Sequence, residues 1–142
     1  MNLLGFSVML LTLCGLMFFL GYTTHDTHIS ALLEPKVSEY SQCANLSLHR
    51  TAQCLQDYVA TFYNYTRREN MPRTLEDIKQ NGGACYDYSH LYANMGSSLG
   101  FYSTVAVMDT SNVSRHAIAI LSDNTGYCTI DQIAPIYCGE VK

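Results

Sequence analysis

Tryptophan is absent from this 142-residue chain, proline occurs three times, and only 14% of the residues are Asp, Glu, Lys or Arg. The eight basic residues are scattered against twelve acidic ones, and Arg67–Arg68 is the only adjacent basic pair. A nucleic-acid binder needs a basic face to neutralise phosphates, so the net charge of −4 argues against nucleic acid as a partner. No two cysteines have the C-x-x-C spacing of a zinc ribbon or finger. No internal repeat or low-complexity tract is present, which removes solenoids and arrays.

Charge is also missing locally. From Leu3 to Tyr22 the run LLGFSVMLLTLCGLMFFLGY has none, and the first Asp, Glu, Lys or Arg is Asp26. Such a run is long enough to cross the hydrocarbon core of a bilayer as a helix. Only Met1 and Asn2 precede it, so the basic start of a signal peptide is lacking, and Leu13 before Cys14 does not suit a lipoprotein cleavage site. Residues 1–24 are therefore expected to form a transmembrane anchor, with a cleaved signal peptide as the alternative. Residues 25–40 are read as a linker in which His25 and His28 flank Asp26 as solvated side chains, and residues 41–142 as one domain. No metal or cofactor is expected.

Of the five cysteines beyond the hydrophobic run, Cys43 and Cys54 are close in sequence, as are Cys128 and Cys138. Each pair is expected to staple a short loop in an oxidising compartment, which leaves Cys85 over. The sequons at Asn45, Asn64 and Asn112 are compatible with an extracytoplasmic glycoprotein.

Apolar residues at three- and four-residue steps (Leu48, Ala52, Leu55, Val59, Phe62, Tyr63) predict an amphipathic helix over 46–65. Pro72 breaks the chain, Thr74 opens a short helix that Gly82 and Gly83 stop, and a further helix is predicted over 84–99 with Gly100 closing it. The period then becomes two. Strands are predicted at 102–108, 115–121 and 126–131, with a short fourth at 135–138. Helices followed by strands give an α+β class, helices packed on an antiparallel sheet.

Cys85 falls at the start of the third predicted helix. There unpaired backbone N–H groups and the positive end of the helix dipole favour a thiolate, and the same N–H groups can hold an oxyanion. A hairpin turn centred on Asp123 and Asn124 sets Leu121 opposite Gly126, Ile120 opposite Tyr127, Ile118 opposite Thr129, and His116 opposite Asp131. Opposed side chains share a face, so Asp131 would orient the His116 imidazole while Cys128 points to the other side. Cys85, His116 and Asp131 are the expected catalytic residues.

The run LEDIKQNGGACYDYSHLYANMGSSLGF, followed by RHAIAIL and GYCTID, resembles the core of the transglutaminase-like superfamily of papain-like cysteine enzymes. Gly83, Cys85, Asp87 and Tyr88 fall on the family's Gly-x-Cys-x-Asp/Glu-aromatic motif, His116 on its strand histidine and Asp131 on its following aspartate. The similarity covers about residues 46–138. It implies a papain-like core in which Cys85 is the nucleophile, His116 the base and proton donor and Asp131 the orienting carboxylate, with Asp87 structural. Gln132 stands where many relatives have proline. The tryptophans that wall the tunnel of true transglutaminases are missing, which favours hydrolysis of a peptide or amide substrate over amine transfer. No acidic cluster resembles the calcium sites of the large animal enzymes, and Gln80 is read as a solvated helix end rather than an oxyanion donor. The alternatives are a cell-envelope amidase of another papain-like group and a non-catalytic, disulfide-stabilised surface binding module.

Overall fold

A computed structural model describes residues 33–66, 73–109 and 115–141. The expected anchor, the His25–Asp26–His28 stretch and the sequon at Asn112 lie outside the described residues. Among those described, no helix is long and apolar enough to cross a membrane.

The first long helix, α1 (Leu48–Phe62), buries Leu48, Thr51, Ala52, Leu55, Tyr58 and Val59 and turns His49, Arg50, Gln53 and Asp57 outward. This is the apolar stripe that its sequence period demands. A short helix, α2 (Leu75–Asn81), starts where Thr74 Oγ1 accepts the Asp77 N–H at 3.2 Å, with Glu76 and Asp77 in the favourable first turn. It stops at Gly82, whose φ of 77° is open to glycine at little cost. Then come α3 (Cys85–Ser98) and four strands, β1 (Tyr102–Met108), β2 (His116–Ser122), β3 (Gly126–Ile130) and β4 (Tyr137–Glu140).

The strands form one antiparallel sheet in the order β1-β2-β3-β4, and the fold is α+β as expected. Helices cover one face: α3 lies on β1 and β2, α1 on β3. Burial alternates accordingly. Ala117, Ala119 and Leu121 of β2 and Cys128 and Ile130 of β3 are buried against the helices, with Ile78 of α2 in the same core. Gly96 is the point of closest approach, because a Cβ there would lie 2.7 Å from Leu121 Cγ.

Both expected disulfides are present. Cys43–Cys54 ties a turn at Ser41–Cys43 to α1, and Cys128–Cys138 joins two directly opposed positions of β3 and β4. The linker reading fails for its described end. Leu33 and Tyr40 are fully buried, and the Leu33 carbonyl accepts from the Asn94 side chain of α3, so this segment is anchored in the domain through those residues.

The hairpin register also differs from the expected one. Leu121 opposes Cys128, Ile120 opposes Thr129 and Ala119 opposes Ile130, a shift of two residues. The cause is Asp123, which does not sit at the tip of the turn but opens it. Its Oδ1 accepts the N–H groups of Thr125 (2.7 Å) and Gly126 (3.1 Å) and the Thr125 hydroxyl (2.6 Å), an Asx turn that moves the tip to Asn124–Thr125. A shift of two preserves the side-chain alternation, so no residue changes face.

Candidate active site

The loop entering α3 is held by its own sequence. A Cβ at Gly83 would meet Ile78 Cγ2 at 3.0 Å and Asp87 and Tyr88 at 3.2 Å, so a larger residue would have to push these neighbours aside. Asp87, fully buried, accepts the Ala84 N–H at 2.7 Å and faces the Arg73 guanidinium at 2.8 Å. Burial raises the Asp87 carboxyl above the ordinary value, while the Ala84 N–H and the Arg73 charge pull it the other way. The Tyr88 hydroxyl accepts from the Gly83 N–H (3.0 Å) and donates to the Asn64 carbonyl (2.6 Å), and its burial pushes it up to about 12. Tyr86 packs edge-on against His90.

Gly83, Asp87 and Tyr88 thus each have a structural task in the turn. Cys85 has none of this kind. It is half-buried, is the first residue of α3, and is the free cysteine among the described residues.

At the far end of β2, His116 Nε2 lies 2.6 Å from Asp131 Oδ2, with both side chains about 15% exposed. A carboxylate only accepts, so Nε2 carries the proton and donates it, which leaves Nδ1 for another proton. The two residues are diagonal neighbours rather than opposed ones, since the ladder between β2 and β3 reaches only to Ala119 and Ile130. Diagonal pairs remain within reach of long side chains. Asp131 Oδ1 accepts the Ile133 N–H at 3.1 Å. Gln56 of α1 donates to the carbonyls of Asp131 (2.6 Å) and Ala134 (2.9 Å), and the Tyr92 hydroxyl of α3 bonds to Gln132 Oε1. Tyr92 is raised well above an ordinary tyrosine, first by burial and then by charges that include Asp131.

Chain reversal brings the two ends of the site to one level. Ser103 of β1 donates to the Ala93 carbonyl of α3, so β1 runs back along the helix, and β2, antiparallel to β1, runs the same way as α3. From the Gly96–Leu121 contact, Cys85 lies eleven residues up the helix and His116 five up the strand. At ~1.5 Å per helical residue and ~3.3 Å per strand residue, both are about 16 Å from that contact. The structure joins His116 to Asp131. Among the described residues, no hydrogen bond links Cys85 Sγ to the His116 ring. His116 alternates with Ala117 and shares its pleat face with Ile118 and Ile120, the face opposite the one that α3 covers.

Gln80 is exposed on α2. Among the described residues, no group of three or more His, Cys, Asp and Glu gathers to hold a metal ion. Two features escape the sequence reading. Arg73 follows a proline and carries no pattern of its own, and Gln56 sits on a helix whose period is read from its apolar residues alone.

Protein-family models, curated proteins and solved structures offer no relative of this chain. The chemistry of the site therefore rests on its own residues.

Proposed function

We propose that the protein is a transglutaminase-like thiol hydrolase or acyltransferase that cleaves peptide or amide bonds through Cys85, His116 and Asp131. The observation that carries this reading is the 2.6 Å bond from His116 Nε2 to Asp131 Oδ2, which leaves Nδ1 unpartnered among the described residues; the free thiol at the start of α3 supports it. Thiol–imidazole contacts are often loose in a free enzyme and tighten with substrate.

The Cys85 thiol passes its proton to His116 Nδ1, the sulfur attacks the amide carbonyl, and the developing oxyanion meets the N–H groups of the first turn of α3. The C–N bond breaks and the amine leaves with the proton held on His116 Nδ1. Water then gives a proton to His116 Nδ1 and adds to the thioester, the C–S bond breaks, and the proton passes from Nδ1 to the sulfur, giving the acid and restoring the thiol. Asp131 keeps the imidazole in the Nε2–H form throughout. The two disulfides suit an oxidising compartment, in agreement with an anchored or secreted extracytoplasmic domain.

The test is alkylation of Cys85 by a thiol-directed probe at mildly acidic pH, followed by mass spectrometry. Wild type should label readily and His116→Ala much more slowly, and removal of the base should slow turnover by about 10² to 10⁴. Equal labelling of the two would favour a binding module in which Cys85 is inert.

A further inference from the structure

We infer that Gln56 is a positioning residue that sets the Asp131 carboxylate against His116; the inference rests on the proposed role of that pair. Asp131 comes directly after Ile130, the last residue of β3, so it lies outside both ladders that β3 makes. A carboxylate that orients an imidazole has to be held to within about 0.5 Å, and no strand hydrogen bond is available to do it.

Gln56 supplies the restraint. Its Nε2 donates one N–H to the Asp131 carbonyl at 2.6 Å and the other to the Ala134 carbonyl at 2.9 Å, so both amide protons close on the 131–134 corner. The bonds span 75 and 78 residues of chain and start from α1, the helix packed on β3. Inside the corner, Asp131 Oδ1 takes the Ile133 N–H, which leaves Oδ2 aimed at the imidazole. Tyr92 of α3 holds the next side chain, Gln132. The corner is thus fastened from two helices.

Gln56→Met keeps the length of the side chain and removes both donors, and Gln56→Glu keeps its shape and places an acceptor against two carbonyls. In the full chain, each should slow Cys85 alkylation by about 10- to 100-fold. Each should also turn the ¹⁵N shifts of the His116 ring from a single Nε2–H tautomer to a mixture. Thr51→Val serves as the stability control. Thr51 donates to the Cys43 and Leu46 carbonyls in the N-terminal part of α1, away from the 131–134 corner, so its loss should lower Tm and leave both readouts unchanged. Added to Asp131→Asn, Gln56→Met should cost little more, since both act through one group. If His116→Ala and Asp131→Asn slow labelling while both Gln56 variants label like wild type with one His116 tautomer, the positioning role is overturned and the site reading stands. If His116→Ala has no effect, the site reading itself fails.

Discussion

Arg73 Nη1 and Asp87 Oδ2 lie 2.8 Å apart with both side chains almost fully buried, directly beneath the first turn of α3. The pair locks the loop that presents Cys85, and its worth is best judged by breaking it. Removing one member of such a buried pair typically costs about 3–5 kcal/mol. Asp87→Asn and Arg73→Leu should each lower stability by roughly that amount in urea melts. The double variant should lose less than the sum.

Gly96→Ala sets two effects against each other. Alanine is better than glycine in a helix by about 1 kcal/mol. The added Cβ would stand 2.7 Å from Leu121 Cγ, and overpacking of this kind costs about 1–3 kcal/mol. The clash involves the branched centre of a fully buried side chain, which has little room to yield. The variant should be net destabilised, with a lower midpoint in thermal or urea denaturation.

Asp123 should make the hairpin acid-sensitive. The Thr125 hydroxyl, followed by the Thr125 and Gly126 N–H groups, holds its carboxyl below the ordinary 3.8. A folded value lower than the unfolded one means that the contribution is complete above 3.8 and fades as pH falls through the depressed value. Asp123→Ala should therefore be less stable than wild type at neutral pH. The gap should close in strongly acidic solution, as pH-dependent melts would show.

At the alkaline end the tyrosines act with the opposite sense. Burial raises Tyr63, Tyr88 and Tyr92 above the ordinary 10, Tyr88 to about 12. A group whose folded value is raised stabilises fully below its unfolded value and loses that contribution as pH rises through the folded one. Stability should fall from about pH 10 upward. Phenolate absorbance should show a late fraction that ionises together with unfolding.

Cys128–Cys138 joins opposed residues of β3 and β4, where β4 is a short edge strand. Replacing both cysteines by serine should cost about 2–5 kcal/mol. Hydrogen exchange should then show β4 opening first.

Local chemistry made much of this legible in advance. Periods of 3.6 and two placed α1, α3 and β1 to β3, and Thr74, Gly82 and Gly100 marked ends that the backbone confirms; the fourth strand, expected at 135–138, runs instead from Tyr137 to Glu140. The two short cysteine spacings named both disulfides. His116 and Asp131 were foreseen as partners, though through the wrong register. Whether Asp123 forms the tip or the start of the turn depends on three hydrogen bonds that composition does not reveal. The pairing survived because a two-residue slip leaves the faces intact. What depends on distant segments was out of reach: the burial of Leu33 and Tyr40, Arg73 against Asp87, and Gln56 on the 131–134 corner. Their partners are set by packing, which no local pattern encodes.

The α1 tether to the 131–134 corner has an implication for how the chain matures. Each strand pairs with its neighbour in sequence, so the meander can assemble from short-range closures. The carboxylate's seat instead waits for α1 to arrive from some 75 residues upstream. The His116–Asp131 bond therefore depends on a contact of far longer range than any strand pairing, and it should be among the last parts of the domain to become ordered as the chain folds.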